Sequence, residues 1–112
     1  MNTVPLTKNE KAVLDELEEE LRTLLGSRLV KFVLFGSKAR GDYDRDSDVD
    51  IAIVVKGLTT KCKHEILDTV AAIEIKYLMP LSTFVLSDED FRHLKERERA
   101  IALNIEKDGI PL

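Results

Sequence analysis

The sequence has no tryptophan and few aromatic or sulfur-containing side chains. Aromatic residues make up 5% of its 112 residues, which disfavours a stacking platform for single-stranded nucleic acid. Its one cysteine, Cys62, excludes an internal disulfide and a cysteine-rich zinc site, and it fits a reducing compartment. The longest strongly apolar run, Ile51 to Val55, is far shorter than the ~20 residues of a membrane-spanning helix. Because Met1 is not followed by a basic and then apolar leader, the expected location is the cytoplasm.

The chain also has fewer basic than acidic residues. The chain carries 17 Lys and Arg against 21 Asp and Glu, a formal net charge of -4, whereas a general phosphate-backbone binder is normally basic. A nucleic-acid partner is therefore not expected, and neither is a membrane. The hydrophobic fraction of 44% and the charged fraction of 34% are typical of a globular protein. The length predicts a single domain over residues 1–112, with room for one reaction centre and little surface for a large acceptor.

Hydrophobic periodicity predicts alternating helices and strands. Thr7 and Glu10 have the spacing of a capping box, and Gly26 is a plausible helix end. The apolar face predicted for this helix comprises Val13, Leu14, Leu17, Leu21, Leu24 and Leu25. A second apolar stripe, which ends before Pro80, comprises Cys62, Ile66, Val70, Ile73 and Tyr77. Ser87 is a candidate N-cap for the last helix, whose predicted inward residues are Phe91, Leu94, Ile101 and Ile105. Glu98 interrupts that face and leaves room for a bend near 95–99. The predicted order is a helix over about 8–25, strands over 29–35 and 48–55, a helix over about 61–77, a strand over 81–86 and a helix from 88. Three strands with helices against them make a two-layer α/β domain.

The segment between the first two strands carries the unusual chemistry. Gly36 and Ser37 follow a strand directly, and free backbone N–H groups at a helix start there would form a phosphate site. Asp48 and Asp50 begin the next strand, where residues i and i+2 point to one face about 7 Å apart. Mg²⁺ is commonly held by one or two such carboxylates together with substrate phosphates. Simpler interpretations stay open, because a Gly-Ser pair can be only a turn and the two acids only the polar end of a strand.

The spacing of these residues resembles a known signature. Gly36-Ser37, ten intervening residues and then Asp48-Val49-Asp50 is similar to the motif of the polymerase-beta-like nucleotidyltransferase superfamily. The fuller string from Phe35 to Gly41, with Ser47 to Ile51 downstream, resembles the minimal nucleotidyltransferase family. The resemblance covers nearly the whole chain, since 104–110 is also similar to that family's C-terminus. It implies the nucleotidyltransferase fold, an α/β (α+β) arrangement with a small mixed three-stranded sheet and about four helices.

The resemblance also assigns roles to individual residues. Gly36 and Ser37 would hold the β- and γ-phosphates of ATP, while Asp48 and Asp50 would be the catalytic carboxylates and bind Mg²⁺. Arg40 matches an arginine of the family's nucleotide-binding segment, and a salt bridge with the acidic loop is the alternative role for it. The implied reaction is attack of a hydroxyl on the α-phosphate with pyrophosphate leaving, in which two metals stabilise the entering and leaving oxygens.

One element of the family's site is missing from the sequence. The family carries a third carboxylate on the third strand, whereas 81–86 here reads LSTFVL and contains no acid. Ser82 or Thr83 is expected at that position, and neither hydroxyl is a general base at neutral pH. Glu74 lies nearby in the sequence, but it belongs to a predicted helix. The metal on the nucleotide side is therefore supported, while activation of the acceptor is not.

Two functional hypotheses follow from this departure. In the first, the protein transfers AMP from ATP to a hydroxyl of a partner protein. In the second, it retains the nucleotide-binding fold and acts as a binding module with weak or no catalysis. For both, the family context implies a toxin of the HEPN family as partner, which some relatives neutralise by adenylylating a tyrosine. A third class, an enzyme that adds nucleotides to nucleic acid, is disfavoured by the acidic net charge. The sequence leaves open whether the protein forms a homo-oligomer.

Overall fold

Three helices and four strands make up the part of the chain that the structure, a computed structural model, describes: residues 6–35, 49–96 and 109–111. The elements are α1 (Lys8–Leu25), a 3₁₀ turn (Gly26–Arg28), β1 (Leu29–Phe35), β2 (Val49–Val55), α2 (Thr60–Tyr77), β3 (Leu81–Ser87), α3 (Asp88–Glu96) and β4 (Ile110–Pro111). The predicted bounds agree with these to within one residue wherever both ends of an element are described. Within the described ranges, no helix combines the length and apolarity needed to cross a membrane.

The strands form one mixed sheet in the order β3-β2-β1-β4. β2 pairs antiparallel with β1 and parallel with β3, and β4 pairs antiparallel with the end of β1. The predicted α+β class with a mixed sheet is confirmed. The predicted number of three strands was one too low, because β4 has only two residues, one of them Pro111, and so short a segment shows no period-2 pattern.

One face of the sheet packs on α1 and α2 to form the main core. Alternation along the strands selects the contributing side chains, since successive residues point to opposite faces. From β2 these are Val49, Ile51, Ile53 and Val55, all at most 3% exposed. From the helices they are Val13, Leu14, Leu17, Leu21, Leu25, Cys62, Ile66, Val70 and Ile73. Two exceptions to the predicted helix faces are Leu24 and Tyr77, which are 39% and 37% exposed.

Hydrogen bonds cap the start of α1 and join α1 to α2. The predicted capping box of α1 is present, because Glu10 N–H donates to Thr7 Oγ1 at 3.1 Å and Thr7 N–H donates to Glu10 Oε1 at 2.9 Å. Tyr77 was predicted on the apolar stripe of α2, but its hydroxyl reaches the surface and donates to Glu16 Oε1 at 2.8 Å. Lys76 Nζ approaches the same carboxylate at 3.0 Å. Hydrogen bonds from Tyr77 and Lys76 lower the pKa of Glu16, and the bond to Glu16 raises the pKa of Tyr77.

The other face of the sheet is covered in part by α3. Val33, Ala52 and Val54 pack against Phe91, with Leu86 and Leu94 at the margin. Ser87 caps this helix as predicted, since its hydroxyl accepts from Asp90 N–H at 2.9 Å. The continuation of the last helix to residues 101 and 105, and the bend predicted near 95–99, fall at least partly outside the described residues. β2 is thus buried on both faces, which explains its nearly continuous apolar sequence.

Candidate functional site

The two ends of the motif segment meet at one end of the sheet. Phe35, the last residue of β1, is the antiparallel partner of Asp50, the second residue of β2. The chain leaves the sheet after Phe35 and re-enters it at Val49. Of the five predicted site residues, the structure places Asp50. The other four lie outside the described residues and remain predictions: Gly36, Ser37, Arg40 and Asp48. The proposed helix start at Ser37 and the acidic loop also remain predictions.

Asp50 projects to the face of the sheet opposite the main core. Its neighbours Val49 and Ile51 are 3% and 0% exposed in that core, and alternation places Asp50 on the other face with Ala52 and Val54. The Asp50 side chain is half-buried and engaged in interactions. A carboxylate on a strand that is otherwise entirely apolar is costly unless partners or a cation offset the burial. This position therefore distinguishes Asp50 from a solvated strand end.

The register of β3 shows which of the two predicted hydroxyl residues lies beside Asp50. Asp50 pairs with Ser82, and Ile51 pairs with Thr83. Paired residues of neighbouring strands point to the same face about 4.8 Å apart, so Ser82 lies beside Asp50 while Thr83 points to the face of Ile51. Of the two predicted alternatives, the structure selects Ser82. No carboxylate is contributed by β3, whose sequence is LSTFVLS.

Glu74 has a structural contact of its own. Its Oε2 accepts a hydrogen bond from the backbone N–H of Leu81, the first residue of β3, at 2.9 Å. Its carbonyl oxygen accepts from the N–H of Leu78, which has a left-handed backbone (φ 51°, ψ 41°), and from that of Met79 at 3.1 Å. Glu74 belongs to α2, on the side of the sheet opposite Asp50. It therefore fixes the turn from α2 into β3 rather than standing in for the missing acid.

We expect Glu74→Gln to leave any transferase activity within about twofold of wild type, because the amide oxygen can still accept from Leu81 N–H. Glu74→Ala removes the acceptor of a partly buried N–H and should lower the free energy of unfolding by about 1–2 kcal/mol. Urea unfolding and label-transfer kinetics of the two variants check this. A loss of about 100-fold in kcat for Glu74→Gln, the size expected for removal of a general base, would instead give Glu74 a catalytic role.

The predicted metal site rests on Asp50 and Asp48. Within the described ranges, no group of three or more His, Cys, Asp or Glu side chains is arranged to hold a metal ion, and Asp48 lies outside those ranges. The donor set suits Mg²⁺, because carboxylate oxygens are hard ligands and a site with two of them takes its remaining ligands from water and substrate phosphates. Asp50 and Asp48 are the residues that would hold the ion.

An aromatic pair adjoins Asp50 and was not anticipated from the sequence. The rings of Phe35 and Phe84 meet edge to face, with centroids 5.4 Å apart and an interplanar angle of 67°. Phe84 is paired with Ala52, one step of the same face from Ser82, and it stays 37% exposed. The sequence shows that Ser82, Phe84 and Leu86 alternate onto one face of β3. The contact of Phe84 with Phe35 follows only when the register of β3 with β2 is also known.

The described part of the site is a mixed sheet with a half-buried carboxylate, Asp50, paired with the strand residue that precedes Gly36-Ser37 in the sequence, as the resemblance to a nucleotidyltransferase implies. Comparison with known proteins makes the assignment specific. The family model described as "Nucleotidyltransferase domain" matches residues 14–109, which is most of the chain. The chain belongs to the nucleotidyltransferase-domain family, and the resemblance to a minimal nucleotidyltransferase domain is confirmed.

Several relatives carry a more specific description. One is named "Putative protein adenylyltransferase MJ0141", from Methanocaldococcus jannaschii, and is 38% identical over 74 residues, which are 65% of this chain and 75% of the relative. A second protein of that organism, with the same description, is 34% identical over 83 residues, 74% of this chain and 79% of the relative.

Solved structures share the fold at low sequence identity. One, described as "Structure of putative minimal nucleotidyltransferase", has a TM-score of 0.57 at 22% identity and covers 91% of both chains. Another, a "putative nucleotidyltransferase from Sulfolobus solfataricus", has a TM-score of 0.52 at 23% identity over 99% of this chain and 87% of that chain. At this identity the likeness supports the fold and no further property.

Proposed function

We propose that the chain, acting as a single domain over residues 1–112, is an adenylyltransferase. It transfers AMP from ATP to a hydroxyl of a partner protein, with a HEPN-family toxin as the partner that it neutralises in the cytoplasm. The observation that carries this proposal is the placement of Asp50, half-buried on an apolar strand, directly beside the strand end that leads into Gly36-Ser37. The description of its relatives as protein adenylyltransferases supports the choice of a protein acceptor.

The proposed reaction joins an acceptor oxygen to the α-phosphorus of ATP. The bond from that phosphorus to the β-phosphate oxygen breaks, pyrophosphate leaves with the electron pair, and the hydroxyl proton passes to water. Gly36 and Ser37 would bind the β- and γ-phosphates, and Arg40 would contribute to nucleotide binding. Asp48 and Asp50 would hold Mg²⁺, which when bound would neutralise charge on the phosphate oxygens. The protein's part is positioning and electrostatic stabilisation, the usual sources of catalysis in phosphoryl and nucleotidyl transfer.

A second candidate function is a nucleotide-binding antitoxin without catalysis. It is favoured by one specific observation, the pairing of Asp50 with Ser82 where the family has an acid. A serine hydroxyl is a poor general base at neutral pH, so proton removal from the acceptor lacks a dedicated group. In this alternative, neutralisation depends on contact with the toxin and does not require ATP.

Label transfer separates the two candidates. The protein is incubated with α-labelled ATP, Mg²⁺ and the product of the neighbouring gene, the candidate partner, and the label is followed to protein or RNA. We expect label on the partner and loss of its ribonuclease activity. Absence of label, with neutralisation retained by the double variant Asp48→Asn/Asp50→Asn, would establish the binding module. Label on RNA would contradict both candidates.

A further inference from the structure

We propose that the outward face of α2 is the interface of a homodimer, in which the α2 helices of two copies pack antiparallel about Ala71. The surface in question, the outer stripe, consists of Leu67, Ala71, Ile75 and Leu78. α2 covers the sheet face opposite Asp50, so both copies keep the Asp50 side of the sheet uncovered by this contact. The dimer adds an interface that the proposed function does not require.

α2 carries apolar side chains on two opposite faces. One face supplies four buried residues to the main core. The outer stripe lies on the other face, where steps of four, four and three residues keep its members in one row. Leu67, Ile75 and Leu78 are 39%, 74% and 88% exposed, and Ala71 is exposed between them. Since a helix that is apolar all round is normally covered on both sides, the outer stripe is suited to a protein contact.

Leu78 is the member of the outer stripe that folding of one copy does not explain. It ends α2 in the left-handed conformation, with φ 51° and ψ 41°, where glycine or asparagine is the usual residue. A leucine is disfavoured there because its Cβ crowds the backbone. Its side chain is almost wholly exposed, so packing within one copy gains it little. A contact with a second molecule accounts for an apolar side chain at this position.

The spacing of the outer stripe makes it complementary to itself. Leu67 and Ile75 lie four residues before and after Ala71, and His64 and Leu78 lie seven residues before and after it. In a twofold interface, if residue i contacts residue j, then j also contacts i. With Ala71 on the axis, Leu67 meets Ile75 of the second copy, and the small alanine lets the helix axes approach closely. This symmetry favours a second copy of the chain over a partner of different sequence.

The charge of α2 also favours a second copy. α2 has three lysines and three acidic residues, whereas α1 has six acidic and three basic residues and α3 has four acidic and two basic ones. Each copy carries a net charge of -4, so two copies repel each other through their acidic faces. Contact through the neutral helix keeps this repulsion low.

The size of the outer stripe predicts a weak dimer. A single row of four residues buries less than the ~800 Å² per partner of a standard interface. We therefore expect a dissociation constant of tens of micromolar, on the order of 50 µM. Sedimentation equilibrium of the full chain from about 1 to 500 µM covers both sides of that value.

Two substitutions in the outer stripe test which surface forms the dimer. Ile75→Glu should raise the dissociation constant at least ~10-fold, because each dimer would have to bury two additional carboxylates. Leu78→Gly should also raise it about 10-fold by removing an apolar contact, while glycine adopts the left-handed conformation without strain. The control Val30→Glu, at a residue of β1 that is 48% exposed, should keep the wild-type value. Circular dichroism and urea unfolding of the dilute monomers verify that all variants fold.

Cysteine crosslinking tests the antiparallel register. Under copper–phenanthroline oxidation, we expect Ala71→Cys to form a disulfide-linked dimer, because a disulfide needs Cα atoms about 4.4–6.8 Å apart and residue 71 meets its own copy at the axis. Ala72→Cys is the matched control, since Ala72 is also exposed but lies about 100° round the helix. The native Cys62 is buried.

Three outcomes would overturn the assignment. One is a wild-type protein that sediments as a monomer throughout the concentration series, which would also be the result if the outer stripe served a different protein. Another is a dimer whose dissociation constant changes with neither Ile75→Glu nor Leu78→Gly, because the interface would then lie elsewhere. The third is equal crosslinking of Ala71→Cys and Ala72→Cys, which would exclude a contact centred on Ala71.

Discussion

Asp50→Asn is expected to lower adenylyl transfer by about 10³-fold or more while the fold is retained. The metal that Asp50 would hold is worth several kcal/mol of transition-state stabilisation, and each 1.36 kcal/mol corresponds to a factor of ten in rate. The asparagine side chain keeps the size of the original but loses the negative charge. Since Asp50 is half-buried beside Phe35, an uncharged amide should be tolerated there.

The measurement is the rate of label transfer with α-labelled ATP over a range of Mg²⁺ concentrations. Asp68→Asn is the matched control, because Asp68 is exposed on α2, on the other side of the sheet. It should transfer label at the wild-type rate. Far-UV circular dichroism and urea unfolding verify that both variants fold. An Asp50→Asn variant with undiminished transfer would remove Asp50 from the site and with it the observation on which the proposed function rests.

Ile73→Ala is expected to lower the free energy of unfolding by about 3 kcal/mol, within the 2–5 kcal/mol found for buried Ile→Ala changes. Ile73 is 2% exposed and belongs to the main core between α2 and the sheet. Removing three of its carbon atoms loses transfer free energy and leaves a cavity that close-packed neighbours fill only in part. For a domain of this size, that loss is a large share of the total stability.

The same helix supplies the matched control. Ile75, two residues further on, is 74% exposed, so Ile75→Ala removes the same atoms from a solvated position. Its free energy of unfolding should stay within about 0.5 kcal/mol of wild type, helped by the better helix propensity of alanine. Urea denaturation of the two variants compares the midpoints at constant slope. Equal destabilisation by both substitutions would mean that the packing of α2 on the sheet is wrong.

Much of the fold was predictable because the deciding signals are local. The capping pair Thr7 and Glu10, the stop at Gly26 and the cap at Ser87 delimit helices whose ends match the prediction. β2 was recognisable from the apolar run that follows Asp50, since the strand is buried on both faces. The motif itself was readable for a similar reason, because nucleotide chemistry needs particular residue types at a fixed spacing.

What the sequence could not decide depends on strand pairing. The choice between Ser82 and Thr83 follows from the register of β2 with β3, which no single strand contains. The contact of Phe84 with Phe35 joins two strands that are not neighbours in the sheet. Tyr77 was misjudged because its ring continues an apolar period, while its hydroxyl finds Glu16 on another helix. β4 has too few residues to carry any pattern.

The pairing of β4 has a consequence for the order in which the chain assembles. β1 and β2 are separated by 13 residues, 36–48, so closing their ladder costs less entropy than pairing β1 with β4. The second neighbour of β1 arrives from far along the chain, when Ile110 pairs with Leu34 and Pro111 with Val33. Contacts of such long sequence separation form late, and a ladder of two pairs is among the first to open again. We therefore expect β1, the strand that leads into the nucleotide motif, to gain its second neighbour late in folding and to lose it early in unfolding.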